Sequence, residues 1–261
     1  MHHKAALNFV TKTPVVLMCA VSFMLAVAPA SEARKSQGGD DVNKELLGSV
    51  SGLSKQSSDA ATKDGAFIID KWLSTAKAFE DYTFSYSQTV YKKKGQVTES
   101  GKLYFKRPRL LRIEETGGPK AGSVAVLETD GRVHGHAGGA LKFFTATLSP
   151  DSNMLKSENG WPMVKTDFIS LAEAVEGYIK QDKCTAKVTE NPVSVGSYPS
   201  PLYDWFLYHA DGTIFKRALF DPQTGQPVEW WDYVNGKLFA HSKWTNFKPN
   251  QTLSTSVFNL K

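Results

Sequence analysis

Cysteine is nearly absent from this chain. It has two, and Cys19 lies in an apolar run near the start, which leaves Cys184 alone in the rest. One thiol closes no intramolecular disulfide, so the fold must be held by its core. With no histidine near it in sequence, Cys184 reads as a small buried hydrophobe. An excess of one charge is lacking too. The formal charge is +5, and setting aside Lys4 and Lys12 lowers it to +3, too little to argue for a nucleic-acid partner. Lys92-Lys93-Lys94 beside Gly95 is a basic patch of the kind that solubilises a hairpin tip.

Signatures of catalysis are missing as well. Gly48-Ser49-Val50-Ser51-Gly52 has valine where a nucleophile elbow needs serine, and neither H-E-x-x-H nor a P-loop occurs. Glu114 and Glu115 are neighbours on a strand and face opposite ways, so they cannot pair as acid and base. His134-Gly135-His136 puts two imidazoles on one side of a strand, with His209 or His241 as a conceivable third ligand. No Asp, Glu or Cys stands nearby at ligand spacing, and a metal site is not expected. Nothing here calls for a cofactor, and the chain reads as non-enzymatic.

Long apolar runs are also lacking. Pro14 to Ala28, PVVLMCAVSFMLAVA, is short for a bilayer span, follows Lys4 and Lys12, and precedes Ala28-Pro29-Ala30. Residues 1–30 therefore read as a cleaved export signal, which places the protein in the periplasm or outside the cell; a retained anchor is the other reading. Residues 31–58, rich in Ser, Gly, Lys and Asp, read as a flexible linker with a weak helical pattern around Val42 to Leu53. The folded domain is expected over 59–261.

That domain opens with a helix. Phe67, Ile68, Trp72, Leu73, Ala76 and Phe79 recur at three and four. The period then changes to two. Tyr82, Phe84 and Tyr86 alternate with polar residues; strands follow through Leu103 to Arg107, Leu111 and Ile113, Ser123 to Leu127, and Arg132 to His136. Asp167 is placed to cap a helix over Phe168 to Lys180, and Asp151 a short one through Leu155. Four more strands are predicted near 202–209, 213–220, 228–234 and 237–247. Asp130-Gly131, Asp211-Gly212 and Asn235-Gly236 supply tight turns. Nine or more antiparallel strands with two helices give an α+β fold in one domain, its single sheet curling into an open or half-closed barrel.

One row stands out. Leu103, Phe105 and Arg107 share a face, so a cation ends a series that is otherwise apolar and inward. The surrounding GKLYFKRPRLLRIEE, followed by VLETDGRVHGH, resembles the strand-KRP-strand and DG-hairpin signature of the LolA-like superfamily. That superfamily includes periplasmic lipoprotein carriers, RseB-like sensors and LppX-like lipid binders. WLSTAKAFEDYTFSYSQ is similar to their opening helix and first strand, and DPQTGQPVEWWDY and WTNFKPNQTLSTSVF to their closing strands. The central HGHAGGALKFFTATLSPDSNMLKSENGWPMVKTDF is similar to a bacterial family of unassigned function within or near the superfamily.

The resemblance implies an unclosed barrel with helices as a lid over an apolar cavity that takes lipid or the acyl chains of a lipoprotein. Arg107, at the position of the KRP arginine, would hold the lid through its backbone carbonyls. Tyr82, Phe84, Tyr86, Leu103, Phe105, Leu111 and Ile113 are the expected lining, with Trp231 and Tyr233 as further candidates. Ordinary core packing by the same residues is the competing reading. Any contact with membrane would be transient. The alternative function is an RseB-like envelope sensor with a protein partner, for which Trp205, Trp230 and Trp244 would form an exposed patch.

Overall fold

A computed structural model describes residues 61–196 and 198–260. The expected signal, linker and weak helix lie outside the described residues. The period-two segments form one antiparallel sheet of twelve strands: β1 (Thr62–Asp64), β2 (Asp81–Lys92), β3 (Gly95–Lys106), β4 (Leu110–Gly117), β5 (Val124–Leu127), β6 (Val133–His136), β7 (Ala146–Leu148), β8 (Thr185–Thr189), β9 (Tyr203–Tyr208), β10 (Ile214–Phe220), β11 (Pro227–Val234) and β12 (Lys237–Pro249). The period-3.6 segments form α1 (Ala66–Ala78) and α2 (Phe168–Lys180). The order across the sheet is β1-β8-β9-β10-β11-β12-β2-β3-β4-β5-β6-β7, so β1 and β7 are free edges and the barrel is not closed.

This order follows from two runs of hairpins. β2 to β7 step outward from the centre to one edge, the chain crosses over through α2, and β8 to β12 step back from the other side until β12 pairs with β2. Asp130-Gly131, Asp211-Gly212 and Asn235-Gly236 make the turns they predict, each glycine having positive φ. Both helices pack on one face of the sheet. From α1 the buried residues are Ile68, Ile69, Trp72 and Ala76, so Ile69 takes the place expected of Phe67, which is 42% exposed and packs its ring edge-on against Tyr203. From α2 they are Phe168, Ala172 and Val175.

Each helix has its own anchor. α1 starts at Gly65, where an added Cβ would lie 2.8 Å from the Lys187 backbone and from Trp205 Nε1; the closeness lets Trp205 Nε1–H donate to the Gly65 carbonyl at 3.0 Å. Asp167 caps α2 by accepting from the Ser170 amide at 2.9 Å. The Phe168 amide, also an end donor of the helix, donates to the Tyr82 hydroxyl at 2.8 Å. Phe168 stacks on Phe84 at 4.9 Å and on Tyr82 at 5.2 Å, which seats the helix start on the sheet.

The sheet also carries cover on its opposite face. Val195, Leu202, Leu219 and Trp231 form a small cluster there, and Leu110, Val126 and Phe258 another. Trp231 thus belongs to the outer face, and the expectation that it and Tyr233 line a cavity is corrected: their inward neighbours are Trp230 and Asp232. Likewise Trp205, Trp230 and Trp244 form no exposed patch. Trp205 and Trp230 are buried, Trp244 is half-buried against the same core, and all three pack in the aromatic network around Trp72 and Phe168. Cys184 is buried, and burial holds its thiol above the usual range.

Candidate functional site

Strand pairing turns the inward residues into rows that run across the sheet, and their polarity changes in steps. The row Tyr82, Phe105, Leu111 and Leu127 is dense and apolar apart from the Tyr82 hydroxyl, with Tyr82 stacked on Phe105 at 4.8 Å. The next, Phe84, Leu103, Ile113 and Ala125, is apolar as well. Then come Trp244, Tyr86, Gly101 and Glu115, and after them Ser242, Gln88 and Glu99. Each step is two residues along a strand, so the whole gradient is a product of the pleat.

Over the middle of this gradient α2 stands away from the sheet and leaves a cavity with an open mouth. Its floor includes Phe84, Tyr86, Leu103 and Ile113, with Trp230 and Trp244 to one side. Its roof is the face of α2 that carries Leu171, Ala174, Val175 and Tyr178, together with the segment from Met154 to Thr166. Of the eight residues predicted from sequence, four therefore line the cavity. Tyr82, Phe105 and Leu111 lie beside it in solid packing beneath α1 and α2.

Arg107 is placed elsewhere again, just past the end of β3 and half-buried. Its Nε–H donates to the Phe79 carbonyl at 2.8 Å, and Nη2–H to the Lys77 carbonyl. Its backbone amide donates to the Glu80 carbonyl at 2.9 Å. The Lys77 and Phe79 carbonyls lie at and just beyond the last turn of α1, at the negative end of the helix dipole, where a guanidinium is well suited. The side chain fixes α1 to the sheet and does not enter the cavity.

The polar end of the cavity was missed by sequence reading, although the signal was there. Gln88 continues the parity of Tyr82, Phe84 and Tyr86; Glu99 precedes Gly101 and Leu103 at the same parity; Glu115 follows Leu111 and Ile113. Gln88 Nε2–H donates to Ser242 Oγ at 3.0 Å. Glu99, 2% exposed, accepts from the Glu158 amide at 2.8 Å through Oε2 and has Lys120 Nζ 3.5 Å from Oε1. Burial pushes the Glu115 carboxyl above the usual carboxylate range; the Tyr86 hydrogen bond and Lys120 pull it back in part, and Glu99 adds to the rise. Burial, then the Glu115 carboxylate, hold the Tyr86 phenol far above its ordinary range. Gly101 is required beneath that phenol, because an added Cβ would lie 2.6 Å from the Tyr86 hydroxyl.

At another margin Lys216 Nζ and Asp232 Oδ1 pair at 2.6 Å, and Trp230 Nε1–H donates to the same oxygen at 3.0 Å. The histidines have separate protein neighbours: Thr147 beside His134, the Ala137 carbonyl beside His136, Phe215 beneath His209 and Glu229 beside His241. No group of three or more metal-ligating side chains occurs among the described residues.

Fold and site together define a class: an open antiparallel half-barrel whose helices roof an amphipathic cavity. No family model matches the chain, and no curated protein sequence does. The solved structures it is similar to include members of the superfamily that the KRP and DG motifs resemble. An uncharacterized conserved protein from Thermus thermophilus is 14% identical with a TM-score of 0.46, covering 75% of this chain and 92% of that one. A LolA superfamily protein from Nitrosomonas europaea is 9% identical with a TM-score of 0.35, covering 76% and 98%. The Pseudomonas aeruginosa MucA/MucB complex is matched at 9% identity and a TM-score of 0.40, covering 75% of this chain and 60% of that chain.

Proposed function

We propose that this is an exported, non-enzymatic binding protein of the LolA-like kind, which holds a lipid or the acyl chains of a lipoprotein in the cavity between α2 and the sheet. The observation that carries the reading is the cavity itself. A floor of Phe84, Leu103 and Ile113 under a roof of Leu171, Ala174 and Val175 gives an alkyl chain apolar contact on both sides. Burial of such a chain contributes about 0.8 kcal/mol per methylene before the cost of ordering it. Arg107 serves this site indirectly, by keeping α1 in place as one wall. The export reading of residues 1–30 puts the protein in the periplasm or outside the cell, where amphiphiles need a carrier through water. Contact with a membrane is then brief, at loading and release.

Protein purified from its native envelope, extracted with organic solvent and analysed by mass spectrometry, is expected to yield a stoichiometric amphiphile. The delipidated protein is expected to take up a fluorescent acyl probe. An empty extract together with no uptake of the probe would end this reading.

A second reading, a sensor or interaction module that docks an envelope protein, draws on a different observation. Leu141, Phe143 and Phe144 are exposed, the two phenylalanines by 79% and 71%, on one short turn with Lys142. On this reading Phe143→Ser with Phe144→Ser abolishes a lasting protein complex while probe uptake is unchanged. Under the carrier reading alone, no such complex exists to lose.

A further inference from the structure

Three oxygen atoms at the polar end of the cavity are buried and have no hydrogen-bond donor from the protein: Gln88 Oε1, Glu99 Oε1 and Glu115 Oε2. Strand pairing brings them together. Gln88 stands opposite Glu99 across β2 and β3, and Glu115 stands opposite Gly101, two residues along from Glu99 on the same face. The Gln88 amide nitrogen is occupied by Ser242, which leaves its carbonyl oxygen uncommitted. Glu99 has only the Lys120 ammonium near Oε1, at 3.5 Å, and Lys120 already donates to the Lys156 carbonyl. The other cation lining the cavity, Lys216, is paired with Asp232. Beyond the Tyr86 hydroxyl, which hydrogen-bonds Glu115, Lys120 is the cation that faces the two carboxylates, so when ionised they outnumber the positive charge at this end.

We infer that this end of the cavity receives the primary ammonium head of a single- or double-chain amphiphile, its three N–H groups meeting Gln88, Glu99 and Glu115. The alkyl chain then runs over Tyr86, Phe84 and Leu103 beneath α2. The inference rests on the reading of the cavity as an acyl-chain site and adds the chemistry of the head. A carboxylate head would face Glu99 and Glu115 with the wrong charge. A trimethylammonium brings charge without donors, and an alcohol brings one donor without charge. Recognition thus needs both properties on one nitrogen.

Four ligands with the same chain separate these cases: dodecylamine, dodecyltrimethylammonium, dodecanol and dodecanoate, titrated below micelle formation into the delipidated full chain. Trp72, Trp230 and Trp244 line the cavity and report binding by fluorescence, with calorimetry as a second readout. Dodecylamine is expected to bind at least tenfold tighter than each of the others. In Glu99→Gln with Glu115→Gln its affinity is expected to fall toward that of dodecanol, with a smaller change for dodecanol itself. Should the double variant not fold, Glu115→Gln alone serves, and a severalfold loss for the amine only is expected. Equal binding of all four, or a preference for the amine that survives both substitutions, overturns the inference and leaves the acyl-chain site standing. If none of the four binds, both are overturned.

Discussion

On the outer face of β9 and β10, Asp204 and Arg217 are buried as deeply as Glu99 is on the inner face of β3, yet the two places are finished differently. Arg217 donates to both carboxylate oxygens of Asp204, at 2.8 and 2.7 Å, and the guanidinium lies over the Trp231 ring at 4.9 Å. Charge meets charge in fork geometry, with an aromatic face to fill the remaining side. Glu99 and Glu115 have one shared lysine, a distant contact and two oxygens without donors. A charge pair that is complete by itself needs nothing further, and it serves the fold. A set left incomplete inside a cavity costs stability in the free protein.

The sharpest way to break this contrast is to open the finished side. Arg217→Met leaves the Asp204 carboxylate buried alone and is expected to cost about 3–5 kcal/mol, read from urea denaturation. Asp204→Leu combined with Arg217→Met should recover most of that, since no orphan charge remains. Next in size, Leu111→Ala in the solid row should cost about 2–5 kcal/mol, and Leu103→Ala, which borders the cavity, should fall at or below the lower end of the same range. A Leu103 penalty equal to that of Leu111 would mean that the cavity has no real slack.

A smaller effect is expected on the unfinished side. Glu99→Gln and Glu115→Gln should change the stability of the ligand-free protein by about 1 kcal/mol or less, and toward stabilisation, because each removes a poorly solvated charge. Loss of several kcal/mol would show the carboxylates to be structural. The smallest effect is a slope. Burial holds the Tyr82 and Tyr86 phenols above their ordinary range, so the folded state keeps protons that the unfolded chain gives up near pH ~10. The phenols' contribution to stability is therefore level below that pH and is lost as pH rises beyond it, and Tyr86→Phe should make the fall shallower by about one proton. A slope unchanged in Tyr86→Phe would place that hydroxyl in water.

Much of this architecture was legible because its signals are local. The spacing of Trp72 and Ala76, the Asp167 cap and the DG and NG turns each fix one element without reference to the rest of the chain. Three strands gave no such signal. β1 and β7 have three residues each and no period to read, and β8 follows directly on α2. The site divided along the same line. Its apolar half is written in the alternation of Tyr82, Phe84 and Tyr86, but core and cavity use the same residue types, and only the helices' distance from the sheet separates Leu103 from Leu111. Trp230 and Trp231 are adjacent and equally apolar, so alternation along β11 separates them to opposite faces without saying which face the helices cover. Gln88, Glu99 and Glu115 obey parity throughout; polar residues on an inward face conflict with the usual pattern, and that conflict marks the polar end of the cavity.

The pairing of β2 with β12 has a consequence for the order of events in making the protein. Gln88 and Ser242, joined across that seam, are 154 residues apart, and β12 is the last strand synthesised. Two ladders of local hairpins can form early on either side, but neither encloses anything. The pocket comes into being only when the longest loop in the fold is closed, which is the slowest kind of contact for a chain to make. A nascent or truncated chain lacking β12 would therefore have most of its hairpins and no compartment.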